Sequence, residues 1–94
     1  MFGKYIKSKR INFGIGLRQF AKMLDVSPAF ITCIEQGSAK PSEQNIIKIA
    51  KIFNVDEDEL LARAGKVSSE IEIYMKQNPR EFAILLKSIK KEEK

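Results

Sequence analysis

Ninety-four residues at 44% hydrophobic content allow one domain plus a short appendage, around a small core of marginal stability. The chain has one Cys, no His and no apolar run near the ~20 residues that cross a bilayer, which excludes an internal disulfide, the commonest metal ligand and a membrane span. The net charge of +5 is unevenly placed: residues 1–55 hold nine Lys/Arg against three Asp/Glu, residues 56–65 hold four acids against one Arg, and residues 66–94 hold seven bases against five acids. A basic front half suits a polyanion, and an acidic segment would sit away from it. The opening MFGKYIKSKRINFG is broken by charges and lacks a signal-peptide hydrophobic region, so a cytoplasmic location is expected.

A first helix is expected over Phe2 to Asn12, with Phe2 and Ile6 inward and Gly14 as its terminator. Leu17, Phe20, Ala21 and Leu24 then recur at intervals of three and four, the apolar stripe of a second helix entered from Gly16. Asp25-Val26-Ser27 makes a tight corner, with Val26 as its apolar plug. Ser27 caps a third helix, and Pro28 fits its first position, where the missing N–H loses no partner. Ile31 and Ile34 face back onto the second helix, Ala21 lets the two backbones approach, and Gly37 supplies the positive-φ stop. Two short helices locked by such a corner make a helix-turn-helix, whose second helix fits a DNA major groove.

A fourth helix starts after Lys40-Pro41, capped by Ser42, with Ile46, Ile47, Ala50 and Phe53 as its apolar face. Val55 plugs the next corner, and Asp56 with Glu59 forms an Asp-x-x-Glu cap for a fifth helix that ends at Gly65. The acids from Asp56 to Glu59 suit the positive end of that helix, a structural use of their charge. In the tail, Ser69 caps a short helix holding Ile71, Tyr74 and Met75. Asn78-Pro79-Arg80-Glu81 starts a last helix that carries Phe82, Leu85, Leu86 and Ile89 on one side and dissolves into KKEEK. That stripe suits either packing onto the fifth helix or a two-fold interface with a second copy. No internal repeat is evident.

The stretch from Tyr5 to about Gly65 resembles the DNA-binding domain of the lambda-repressor-like (Xre) family, over about two thirds of the chain. IKSKRINFG at residues 6–14 is similar to the first helix of that domain. SPAFITCIEQG is similar to its recognition helix and following loop, and PSEQNIIKIAKIFNVDEDELL to its fourth and fifth helices. The resemblance implies an all-α fold: a five-helix DNA-binding domain over residues 1–65, followed by a helical extension over 66–94.

The resemblance also implies roles. The family's recognition helix presents its first two residues, and those one turn later, to base edges; here these are Pro28, Ala29, Thr32 and Cys33. Thr32 alone among them hydrogen-bonds well, while Ala29 and the Thr32 methyl suit thymine methyl groups, so direct readout is modest and DNA shape must add to it. Phosphate contacts fall to Arg18, Ser27, Gln36 and Lys40, with Lys7 and Lys22 as further candidates. Leu17 replaces a glutamine that some relatives use for a phosphate, and Glu43 lies near where some place a minor-groove arginine, so neither contact is expected. Arg10 and Glu35 stand where the family commonly has a partly buried ion pair joining the first helix to the end of the recognition helix. Cys33 is expected to lie exposed on the DNA-facing side.

No catalytic constellation, metal-ligand spacing or phosphate-cradling glycine loop is visible, and no cofactor or metal is called for. The expectation is a sequence-selective double-stranded DNA-binding regulator, a repressor acting as a homodimer, with no membrane partner. The alternative is a protein-interaction module, such as an antitoxin or accessory regulator that holds a partner protein through its tail.

Overall fold

The computed structural model describes residues 1–92. It comprises α1 (Phe2–Asn12), α2 (Leu17–Leu24), α3 (Pro28–Gln36), α4 (Glu43–Phe53), α5 (Glu57–Arg63), α6 (Ser69–Gln77) and α7 (Pro79–Glu92), with no strand among the described residues. Glu93 and Lys94, the end of the expected extension, lie outside the described residues. One core unites α1 to α5: Ile6, Phe20, Leu24, Ile31, Ile34, Ile46, Ile49, Phe53, Leu60 and Leu61 are buried, with Ala21 and Ala50 between them. Phe20 stacks on Phe53 at a centroid distance of 5.4 Å, so α2 and α4 meet ring to ring at the centre.

The corners α2–α3 and α4–α5 are the same construction. Each first helix ends on a left-handed residue, Asp25 at φ 56° or Asn54 at φ 55°, a state that short polar side chains tolerate. The following valine returns its N–H to the helix, Val26 to the Ala21 carbonyl at 3.0 Å and Val55 to the Ala50 carbonyl at 2.9 Å. Both valines pack against the core. Ser27 or Asp56 then turns extended and accepts from the Phe30 or Glu59 N–H, at 3.1 and 2.9 Å. Lys-x-Leu/Phe-Asp/Asn-Val-Ser/Asp therefore occurs twice, at 22–27 and 51–56, a short repeat that the hydropathy pattern does not expose.

A close backbone approach joins α1 to α3. A Cβ built on Gly3 would stand 2.4 Å from the Glu35 carbonyl oxygen and 2.6 Å from that of Ile34, so α1 crosses the end of α3 with no side chain between them. Other expectations need correcting. In α4 the buried row is Ile46, Ile49, Ala50 and Phe53, the full i, i+3, i+4, i+7 set, and Ile47 sits half-buried at its rim. Asp56 caps α5, but the Glu59 carboxylate bonds to Arg63 at 3.3 Å.

The tail differs more. Ser68, not Ser69, caps α6, accepting from the Ile71 N–H at 3.2 Å. The side chains at the start of α7 are turned back onto α6: the Asn78 carboxamide donates to the Tyr74 carbonyl at 3.1 Å, and Glu81 accepts the Tyr74 hydroxyl at 2.9 Å. That bond to Glu81 raises the Tyr74 phenol above its ordinary pKa. The last helix also continues through Lys90 and Lys91, good helix formers, to Glu92. α6 buries none of its residues, and among the described residues none past Ala64 joins the core, so the tail stripe does not pack onto α5. The radius of gyration is 15.8 Å, against about 12 Å for a compact chain of this length, because the α6–α7 hairpin projects from the five-helix body.

Candidate nucleic-acid interface

α3 is fixed at both ends by local chemistry: Ser27 caps it, Pro28 opens it and Gly37 closes it at φ 86°. With Ile31 and Ile34 against the core, the helical period turns Ala29 and Gln36 outward, flanked by Thr32 and Cys33, with Pro28 at the margin. Pro28, Ala29 and Gln36 are exposed, while Thr32 is half-buried. The Thr32 hydroxyl donates to the Pro28 carbonyl at 3.3 Å, which leaves its oxygen lone pairs for an incoming donor. Cys33 is half-buried rather than exposed. The chain leaving Gly37 folds back over that side of the helix, and the Cys33 carbonyl accepts the Ser38 and Ala39 N–H groups at 2.9 and 3.2 Å.

Basic residues reach this face from three other segments. Lys7 of α1 and Leu17 of α2 line one concavity of about 220 Å³ with Thr32 and Gln36, a juxtaposition that spacing along the chain could not reveal. Arg18 is exposed at the start of α2, where Gly16 offers no side-chain cap and the first-turn N–H groups stay open to an anion. Lys22 follows Arg18 at i+4, extending one basic ridge. Lys40 is exposed in the α3–α4 loop, beside the buried Pro41. Ser27 has its hydroxyl engaged in capping. Neither α2 nor α3 has an acid in its first turn, whereas α5 has three.

Beneath this face, Arg10 Nε donates to Glu35 Oε2 at 2.7 Å, Nη2 donates to Oε1 at 3.2 Å, and Nη1 donates to the Ile15 carbonyl at 3.0 Å. The side chains are only 12% and 7% exposed, so the fork ties α1, the α1–α2 loop and the end of α3 at one point. Its hydrogen bonds to Glu35 raise the Arg10 pKa against the opposing effect of burial. Among the described residues, no group of three or more His, Cys, Asp or Glu could hold a metal ion, and no helix is long and apolar enough to cross a membrane.

A family model described as a helix-turn-helix domain matches residues 3–66. An uncharacterised HTH-type transcriptional regulator of Mycobacterium tuberculosis, present in two strains, is 35% identical over 63 residues, which is 67% of this chain and 45% of the relative. The chain thus spans under half the length of those relatives. Among solved structures, the master regulator for biofilm formation SinR in complex with DNA is 29% identical with a TM-score of 0.57, covering 65% of this chain and 98% of that one. The complex of SinR with SinI (24%, TM-score 0.58, 99% of this chain and 98% of that one) shares the fold. So does the clp gene regulator ClgR of Corynebacterium glutamicum (20%, TM-score 0.58, 90% and 85%). These relatives are regulators rather than enzymes. By the match over 3–66 and the five-helix body built around twin corners, this chain belongs to the helix-turn-helix domain family, in its lambda-repressor-like form.

Proposed function

We propose that this chain is a sequence-selective, double-stranded DNA-binding transcriptional regulator that lays α3 in the major groove and acts as a repressor in the cytoplasm. The observation that carries the reading is the face itself. An acid-free outward row on α3 is flanked from three other segments by Lys7, Arg18 and Lys40. The likeness to SinR, whose structure is a complex with DNA, supports it. Pro28, Ala29, Thr32 and the edge of Cys33 face bases, Gln36 reaches the groove wall, and the basic residues with the α2 N-terminus hold phosphates. Residues 1–65 read DNA, and residues 66–94 assemble the regulator.

Assembly is through the tail. Leu85, Leu86 and Ile89 are exposed, and half-buried Phe82 lines a cleft of about 550 Å³ with Ile71, Tyr74 and Leu85. An apolar face of this kind calls for a cover, and a second copy meets it with the same patch. Two recognition helices then stand about 34 Å apart on a near-palindromic site. Leu86→Asp is expected to give a monomer by sedimentation equilibrium, folded by circular dichroism and at least about ten-fold weaker on a palindromic duplex. The same exposed face favours one other reading, a tail that holds a different protein. A wild-type chain that sediments as a monomer supports that one instead.

The DNA reading has its own test. Lys40→Ala should weaken all sequences about equally and flatten the salt dependence of affinity by roughly one unit. Thr32→Ala should instead change which sequences win, by ~1–3 kcal/mol at one or two base pairs. Selection from random duplexes separates the two effects. No enriched motif for the wild type at moderate salt would sink the regulator reading.

A further inference from the structure

Among the described residues, one carboxylate makes the side-chain link between the five-helix body and the tail. Glu43, the first residue of α4, reaches Ser69, the first residue of α6. Its Oε1 accepts the Ser69 N–H and the Ser69 hydroxyl, each at 3.0 Å, and Oε2 lies 3.2 Å from the same hydroxyl. Glu43 thus sits between the N-terminal ends of two helices, where both dipoles favour its charge. Glu57, Asp58 and Glu70 border the same hollow, so Ser69 keeps Glu43 in place against like charge. Among the described residues, no other side-chain hydrogen bond or ion pair joins residues 66–92 to α1–α5. The covalent connection is Ala64 to Ser68, with Gly65 at φ 73° and the Lys66 N–H returned to the Leu61 carbonyl at 2.9 Å.

We propose that Glu43 sets the spacing between the two half-sites the regulator recognises. Clamping α6 to α4 fixes the tail against the body, and hence the separation and rotation of the two α3 helices across the dimer axis. Duplex DNA is unforgiving of error here, since one base pair moves a half-site by about 3.4 Å and turns it by about 35°. Glu43 is a positioning residue that touches no DNA. The inference rests on the tail-mediated dimer proposed above.

The test uses the full chain on duplexes whose two half-sites are separated by spacers stepped one base pair at a time. The wild type should prefer one spacing over its two-base-pair neighbours by about ten-fold, and Glu43→Ala should flatten that preference to about three-fold or less. Affinity for a single half-site and the dimer mass should not change. A dimeric Glu43→Ala variant with the wild-type spacing profile overturns the clamp and leaves the dimer standing. A monomeric Glu43→Ala variant overturns it as well, because Glu43 would then serve assembly rather than spacing. A monomeric wild type overturns the dimer, and the clamp with it. If Glu43→Ala binds too weakly to profile, spin labels on Lys48→Cys in a Cys33→Ser background decide in the free dimer. A distance distribution broader than the wild type supports the clamp, and an unchanged one overturns it.

Discussion

Glu35→Ala should lower the stability of the folded chain by ~3–5 kcal/mol, a large share of the ~5–15 kcal/mol that holds a small domain together. The substitution leaves the Arg10 guanidinium, among the described residues, with the Ile15 carbonyl as its one partner, in a site where that side chain is 12% exposed. A buried charge stripped of its counter-charge keeps its full desolvation cost and loses the attraction that offset it. The two parallel hydrogen bonds of the fork go with it, at 2.7 and 3.2 Å. Urea denaturation of the variant measures the loss. A cost under ~1 kcal/mol would place the pair with ordinary exposed ion pairs and refute the assignment. The double variant Arg10→Met with Glu35→Leu should recover most of the stability, since an apolar pair of similar volume leaves no orphaned charge.

Gly3→Ala should also destabilise, by ~2–3 kcal/mol, although helix propensity alone favours alanine over glycine by ~1 kcal/mol. The new methyl carbon would meet the Glu35 and Ile34 carbonyl oxygens at 2.4 and 2.6 Å. Backbone cannot swing aside as a long side chain does, so α1 must lift from α3. That movement also strains the Arg10–Glu35 fork, because both contacts join the same two helices. The two substitutions share neighbours, so the double variant should cost less than the sum of its parts. A neutral or stabilised Gly3→Ala chain, read by thermal denaturation, would show that the helix ends relax freely.

What the chain discloses about itself follows a physical line. Helix starts and stops are legible because they are local: Ser27 before Pro28, Ser42 after Pro41, and Gly37 with its positive φ each act within a few residues. The all-helical fold and the outward row on α3 follow from those caps and from the period of the apolar stripe. Gly3 was illegible because its partner lies on another helix, and in sequence it reads only as a weak helix residue. Ser69 reads as the α6 cap in sequence, but Glu43, 26 residues away, holds Ser69 and the cap falls to Ser68. Ile47 and Ile49 stand about 200° apart at opposite edges of the α4 stripe, and which edge is buried is left open by a run of isoleucines. In the candidate site, the meeting of Lys7 with Thr32 and Gln36 needs the α1–α3 crossing and has no local signature. Tyr74 with Glu81 is hidden in the same way by the α6–α7 turn.

The twin corners differ in what they present. α5 opens with Glu57, Asp58 and Glu59, where α3 opens with Pro28, Ala29 and Phe30. One backbone construction thus appears in a cationic and an anionic setting within a single rigid body, and the molecule acquires a permanent dipole moment between them. Before any contact forms, that moment exerts a torque in the field of a polyanion, turning the α3 side forward and the α5 side back. Random docking wastes most encounters on wrong orientations. A body that tumbles into alignment during its approach shortens the rotational search, and salt that screens the field lengthens it again.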